Sequence, residues 1–105
     1  MNCIAIIPAR GGSKRIPRKN IKLFNNNHII SYAINTALDS GLFSAVYVST
    51  EDVEIAQIAK DHGAIVPFLR NKDLSDDMTT TIKVIQEFII KLEKLKINPK
   101  YVCAI

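Results

Sequence analysis

Cysteine is scarce in this 105-residue sequence, which contains only Cys3 and Cys103. The two stand at opposite ends of the chain without C-x-x-C spacing, so the pattern does not suggest a disulfide framework. Each lies in an apolar run typical of a β-strand, and unpaired cysteines are among the residues most often buried. We therefore expect two buried free thiols in a reduced compartment.

Long hydrophobic runs are missing as well. Pro8 and Arg10 limit the first apolar run to about five residues, and no basic segment precedes it, which argues against a signal peptide. No other run approaches the ~20 apolar residues of a membrane span. With 48% hydrophobic residues, no internal repeat and no linker, the sequence predicts one globular domain in the cytoplasm.

Acidic residues are absent from residues 8–22, although that segment holds six of the 14 lysines and arginines. The rest of the chain has eight bases against ten acids, so the net charge of +4 is concentrated in this segment. It also lacks aromatic side chains, which a nucleic-acid-binding surface would place among its cations. Six cations without a counter-acid repel one another, so the segment predicts a small bound anion. The six are Arg10, Lys14, Arg15, Arg18, Lys19 and Lys22.

Two adjacent glycines, Gly11 and Gly12, stand inside this segment. Glycine lets the backbone approach an anion closely and leaves successive N–H groups unobstructed. The spacing matches neither the G-x-x-x-x-G-K-[ST] of a P-loop nor the G-x-G-x-x-G of a dinucleotide-binding fold. What remains is a long loop in which Arg10 and Lys14 flank the glycines and a further pair of cations follows. Such a loop can surround a triphosphate.

Strand-like and helix-like apolar spacing alternate along the chain. Gly41 and Gly63 are placed to end the first two helices, and Asp52 is placed to cap the second. The predicted elements are a strand over 3–7, a helix over 28–40, a strand over 45–49, a helix over 52–63, a strand over 64–66, a helix over 82–95 and a strand over 101–105. The third helix is expected to bury Ile82, Ile85, Phe88, Ile89, Leu92 and Leu95.

The order β-α-β-α-β-α-β predicts the fold class α/β, a three-layer α/β/α arrangement with a mostly parallel, Rossmann-like sheet. Ligands of open parallel sheets bind beyond the carboxyl ends of the strands. Three polar loops are predicted at that edge: the basic loop, residues 49–52, and residues 68–81. We expect the functional site where these loops converge. Asp76 and Asp77 in the third loop are better explained by the N-terminus of the third helix than by a metal.

The stretch from Ile7 to Ile21, Ile-Pro-Ala-Arg-Gly-Gly-Ser-Lys-Arg-Ile-Pro-Arg-Lys-Asn-Ile, resembles the N-terminal signature of the cytidylyltransferases that activate nine-carbon acidic sugars. These are the CMP-sialic acid synthetases and their bacterial relatives acting on pseudaminic and legionaminic acids. The resemblance continues through residues 48–52, 63–70 and 75–81 and covers the whole chain. CMP-KDO synthetases usually carry proline where this chain has Asn20. The variant in residues 14–20, with Pro67-Phe68-Leu69-Arg70 downstream, looks most like the pseudaminic acid branch.

The resemblance implies transfer of CMP from CTP to the anomeric oxygen of the sugar, with pyrophosphate leaving and Mg²⁺ sharing the phosphate charge. It implies Arg10, Lys14 and Lys19 as the catalytic cations that neutralise the triphosphate. Asn20 would hydrogen-bond the nucleotide, and Arg70 with the threonines would contact cytosine. The full CTP-binding set that it implies is Ala9, Arg10, Gly11, Gly12, Ser13, Lys14, Lys19, Asn20, Arg70, Thr79 and Thr81. Serine often stands at the position of Thr81 in this family.

The resemblance also implies that the sugar-binding loop, the dimerisation segment and the Mg²⁺-binding aspartates lie beyond Ile105. Residues 1–105 would then be the N-terminal, CTP-binding part of a homodimeric enzyme, truncated after the fourth strand, without metal ligands of its own and without nucleic-acid or membrane partners. An unpaired sheet edge would make this chain marginally stable, prone to associate and poorly active. Two alternatives stay open: an inactive nucleotide- or anion-binding fragment, and a CMP-KDO or other sugar nucleotidyltransferase.

Overall fold

Strands and helices alternate through the computed structural model, which describes residues 3–9, 23–24, 27–69 and 81–105. A parallel sheet has the strand order β4-β1-β5, and a short antiparallel pair joins β2 to β3. The elements in chain order are β1 Cys3–Pro8, β2 Leu23–Phe24, β3 Asn27–His28, α1 Ile29–Asp39, β4 Ala45–Ser49, α2 Val53–Asp61, α3 Thr81–Lys94 and β5 Tyr101–Ala104. The predicted parallel α/β arrangement is confirmed.

β1 is the central strand of the described sheet. It pairs in parallel with β4 from Ile4 opposite Ala45 to Pro8 opposite Ser49. On its other side it pairs in parallel with β5, beginning with Cys3 opposite Tyr101. The continuous apolar run of β1 fits this place, because a strand with helices on both faces of its sheet has no water-facing side.

The predicted strand over residues 64–66 is wrong, because the structure has only a single parallel bridge there, between Ile65 and Tyr47. The Ile65 N–H donates to the Val46 carbonyl (2.9 Å), and the Val48 N–H donates to the Ile65 carbonyl (3.1 Å). The next N–H in this parallel ladder would belong to Pro67, which has none. The pairing beside β4 therefore stops after one residue.

Two hydrophobic clusters lie on opposite faces of the sheet, because successive side chains of a strand point to opposite sides. The α1/α2 cluster contains the buried residues Ala5, Ile7, Ala9, Ile30, Ile34, Ala37, Val46, Val48, Ile55, Ala59 and Ala64. The α3 cluster contains the buried residues Ile4, Ile6, Tyr47, Phe88 and Leu92, with Phe68, Ile85, Ile89 and Val102 among the half-buried residues packed on it. The three predicted layers are thus α1 with α2, the sheet, and α3.

The helix ends follow the predicted signals closely. Gly41 has a φ of 68° two residues after α1, and Gly63 has a φ of 97° two residues after α2. Both values lie in the left-handed region, which glycine adopts without the steric cost of a Cβ. A Cβ at Gly63 would also stand 3.1 Å from Leu38 Cδ1. These glycines therefore terminate the two helices that cover one face of the sheet.

The predicted buried stripe of α3 is only partly right. Ile85, Phe88, Ile89 and Leu92 belong to the α3 cluster, but Ile82 is 71% exposed and Leu95 is 52% exposed. Leu95 follows the last helical residue, and Ile82 lies in the first turn. Val84 is buried although it was not expected in the stripe. The buried side chains of α3 thus lie between Val84 and Leu92, inside the limits of the predicted stripe.

Both cysteines are free, but neither is fully buried as expected: Cys3 is half-buried and Cys103 is exposed. Cys103 pairs with Ala5 across the ladder and so faces the α1/α2 side of the sheet. Within the described residues the α1/α2 cluster covers β1 and β4 and includes no residue of β5. The apolar run around Cys103 indicated a strand correctly without revealing that one face of it is open.

Two further observations complete the architecture. The sequence prediction missed the pairing of β2 with β3, in which Leu23 stands opposite His28 and Phe24 opposite Asn27. The two residues between these strands are asparagines, which are common in hairpin connections. In the described part of the chain no helix has the length and apolar character needed to cross a membrane.

Leu92 and Ile90 offer a matched test of the α3 packing. Leu92 is fully buried in the α3 cluster, whereas Ile90, two residues away on the same helix, is 46% exposed. Leu92→Ala is expected to lower the free energy of unfolding by about 2–5 kcal/mol, because it removes buried methyl groups and leaves a cavity. Ile90→Ala is expected to change it far less. Urea unfolding of both variants measures the difference, and equal losses would contradict the assignment of the buried face.

Candidate functional site

The carboxyl ends of β1 and β4 meet at one edge of the sheet. The strands run in parallel register to their last pair, Pro8 opposite Ser49. Beyond this pair the Ala9 N–H donates to the Ser49 carbonyl at 2.8 Å. Ala9, fully buried in the α1/α2 cluster, is also the residue that leads into the basic segment. The first two polar loops were predicted to meet at this edge, and the bond between Ala9 and Ser49 confirms that they begin side by side.

The loop after β4 is fixed by a short series of side-chain to backbone hydrogen bonds. The Asp52 N–H donates to Thr50 Oγ1 at 3.1 Å. Asp52 Oδ1 in turn accepts from the N–H groups of Glu54 at 2.8 Å and Ile55 at 3.2 Å. Asp52 is therefore the N-cap of α2, as its position in the sequence predicted. These bonds hold the loop in one conformation beside Ala9.

Buried polar groups form the floor of this edge. Ser49 and Thr50 are both buried, and Glu51 is half-buried with its Oε2 atom shielded from solvent. Buried polar side chains are retained where they hydrogen-bond, and Thr50 does so by accepting from Asp52. Sequence reasoning treated residues 49–52 only as a polar loop. It missed Thr50 as the buried residue that shapes the loop, since a single threonine carries no signal of burial.

Most of the predicted CTP-binding residues lie outside the described residues. These are Arg10, Gly11, Gly12, Ser13, Lys14, Lys19, Asn20, Arg70 and Thr79. Of the predicted set, the structure places Ala9 at the carboxyl edge of the sheet and Thr81 as the first residue of α3. In the sequence, Arg10 follows Ala9 directly and Arg70 comes five residues after the Ile65 bridge.

The described residues do not form a metal centre. They contain no group of three or more histidine, cysteine, aspartate or glutamate side chains that could hold an ion. A site made only of protein ligands would need such a group. Mg²⁺ that is bound through substrate phosphates needs fewer protein ligands, because it keeps several waters.

The architecture matches that of a solved nucleotidyltransferase. The structure of CMP:2-keto-3-deoxy-manno-octonic acid synthetase complexed with CTP superposes with a TM-score of 0.75. The match covers 89% of this chain and 36% of that one, at 24% sequence identity. At this identity the likeness defines the fold, an α/β fold of the nucleotidyltransferase type.

The chain belongs to the cytidylyltransferase family, whose model matches residues 4–103. It is 47% identical over 105 residues to the pseudaminic acid cytidylyltransferase of Campylobacter jejuni, covering all of this chain and 45% of that protein. It is 37% identical over 97 residues to the CMP-N,N'-diacetyllegionaminic acid synthase of Legionella pneumophila, covering 92% of this chain and 42% of that one. The chain thus spans less than half the length of these relatives. The expected family is confirmed, and its relatives are enzymes that bear cytidylyltransferase or CMP-sugar synthase names.

The Asp52 cap provides a test of the loop after β4. Asp52→Ala removes the acceptor for two backbone N–H groups and is expected to lower the free energy of unfolding by about 1 kcal/mol. Asp52→Asn keeps an oxygen at the same place and should recover most of the loss. Thermal unfolding of the two variants beside the wild type makes the comparison. If the asparagine variant is as unstable as the alanine variant, the side-chain oxygen is not the stabilising group.

Proposed function

We propose that residues 1–105 form the CTP-binding part of a cytidylyltransferase that transfers CMP to a nine-carbon acidic sugar of the pseudaminic acid type and releases pyrophosphate. The observation that carries the proposal is the Ala9 to Ser49 hydrogen bond, which fixes the start of a six-cation segment at the carboxyl edge of a parallel sheet. The names of the relatives supply the nucleotide and the class of sugar. The cytoplasm, with its reduced thiols and free CTP, is the proposed location.

In the proposed reaction the protein neutralises charge and positions the reactants, and it forms no covalent bond with them. Attack of the sugar oxygen on the α-phosphorus develops negative charge on the phosphate oxygens and the leaving pyrophosphate. Arg10, Lys14 and Lys19 supply positive charge, and the backbone N–H groups of Gly11 and Gly12 supply donors close to those oxygens. Ala9 anchors the loop to the buried floor, so its first cation starts from a fixed point.

The base side of the nucleotide is assigned to the third loop. Asn20 hydrogen-bonds the nucleotide from the basic loop, while Arg70, Thr79 and Thr81 contact cytosine. Thr81 begins α3, so its backbone is held by a helix that packs on the sheet. Mg²⁺ is the proposed cofactor and would share the phosphate charge when bound. Its protein ligands, the sugar-binding residues and the homodimer contacts are assigned to parts of the enzyme outside residues 1–105.

Nucleotide-dependent stabilisation tests the proposed ligand. CTP is expected to raise the melting temperature more than ATP or GTP at equal concentration, because cytosine contacts add to the shared triphosphate contacts. Single-stranded DNA should raise it little, since the basic segment lacks stacking side chains. Thermal unfolding of the purified chain with each ligand gives the comparison. Equal shifts with all three nucleotides would reduce the function to generic polyphosphate binding.

Arg10→Ala tests the role of the first cation. In an active cytidylyltransferase that contains this segment, the substitution is expected to lower turnover by roughly 10²–10³-fold, the scale for losing one preorganised electrostatic donor. Lys60→Ala is the matched control, because Lys60 is an exposed cation on α2. Steady-state kinetics with CTP varied measures both variants. Near-normal turnover of the Arg10 variant would remove Arg10 from the mechanism.

A further inference from the structure

Three aromatic side chains join β4, α3 and the segment that follows the Ile65 bridge. The Phe68 and Phe88 rings are tilted against each other with their centroids 4.9 Å apart. The Tyr47 and Phe88 rings meet edge to face with their centroids 5.8 Å apart. Tyr47 belongs to β4 and Phe88 to α3, while Phe68 stands in the segment after the Ile65 bridge. We call these three residues the aromatic cluster.

The aromatic cluster is well packed on its sheet side. Tyr47 and Phe88 are buried members of the α3 cluster, and Phe68 packs against them half-buried. The Lys91 Nζ atom lies 5.2 Å from the centroid of the Phe68 ring, within the range of a cation–π interaction. Phe68 is thus held by a ring and by a cation of the same helix. Residues next to it, such as Leu69 at 44% exposure, lack this degree of burial.

Phe68 and Phe88 stand on either side of Arg70 and Thr81 along the chain. Phe68 precedes Arg70 by two residues, and two residues of fully extended chain span at most about 7 Å. Phe88 follows Thr81 by seven residues on one continuous helix, which corresponds to about 10.5 Å along the helix axis. The Phe68–Phe88 contact therefore joins the chain just before Arg70 to the helix that Thr81 begins and, through Tyr47, to β4.

We propose that Phe68 is a positioning residue for recognition of the nucleotide base, and that Lys91 supports it. The inference rests on the proposed function, in which Arg70 and Thr81 contact cytosine. A side chain held near its bound position loses less conformational entropy when the ligand arrives. The contact between Phe68 and Phe88 restricts the chain next to Arg70 already in the folded protein. It therefore favours binding of the base, which Arg70 is proposed to contact. The proposed triphosphate contacts belong to the basic loop, which follows Ala9 and is remote from Phe68 in the sequence, so we expect no comparable effect on them.

The experiment compares binding of CTP with binding of inorganic triphosphate, which carries the phosphates without the base. Phe68→Ala is expected to raise the Kd for CTP roughly five- to tenfold, the scale on which remote packing changes alter a binding site. Phe68→Leu, which keeps more of the packing, should raise it less, and Lys91→Met should raise it least. The Kd for inorganic triphosphate should stay within about twofold of wild type in all three variants. Calorimetric titration of each variant provides both constants.

Phe43→Leu is the matched control. Phe43 is another half-buried phenylalanine, but it packs on the α1/α2 cluster across the sheet from the aromatic cluster. The control should lose a similar amount of stability and leave both constants unchanged. If Phe68→Ala fails to fold, the two binding constants of Phe68→Leu are compared with those of Phe43→Leu. Both of these substitutions remove the same atoms.

The outcomes separate this inference from the proposed function. Wild-type chain that binds CTP no better than ATP overturns the proposed function and the base-positioning role together. A second outcome is that the wild-type chain prefers CTP but the Phe68 variants lose affinity for CTP and for triphosphate equally. This outcome supports the proposed function and overturns the positioning role. Unchanged CTP affinity in the Phe68 variants overturns it as well. The positioning role is supported if the Phe68 variants lose affinity for CTP alone and Phe43→Leu loses none.

Discussion

The pairing of β1 with a parallel strand on each side is the constraint on which the rest of the structure depends. Its hydrogen bonds to β4 and β5 fix the register of the sheet, and that register decides which face each side chain enters. Ala5 and Ile7 are directed to α1 and α2, while Ile4 and Ile6 are directed to α3. A slip of one residue would exchange these two sets. It would also move Ala9 away from the Ser49 carbonyl, and with it the start of the basic loop.

The site follows from the same register. β1 and β4 end side by side, and the bonds around Thr50 and Asp52 keep the second loop next to the first. The aromatic cluster connects β4 to Phe68, two residues before Arg70, and to α3, which begins at Thr81. The proposed triphosphate and base contacts thus depend on two different supports. Backbone pairing would support the phosphate contacts, which follow Ala9, and ring packing would support the base contacts.

Much of the fold could be predicted from the sequence because its signals are local. The limits of β4, the cap at Asp52 and the left-handed glycines at 41 and 63 each depend on a few neighbouring residues. The errors concern burial and pairing, which depend on distant residues. The strand over 64–66 shrank to the Ile65 bridge because Pro67 has no N–H to offer β4. Ile82 and Leu95 have helical spacing with the buried residues, yet both are exposed, one in the first turn of α3 and the other just past its last residue.

The sequence by itself determined the family and predicted a small anionic ligand. Six cations, two glycines and no acid within residues 8–22 are covalent facts, and they predict an anion-binding loop and carry a cytidylyltransferase signature wherever the segment lies in space. Only the tertiary structure decided that Ala9 bonds to Ser49, that Thr50 is buried and that Phe68 meets Phe88. Those contacts join residues 20 to 40 positions apart, and no periodicity along a chain reports which of its distant parts will touch.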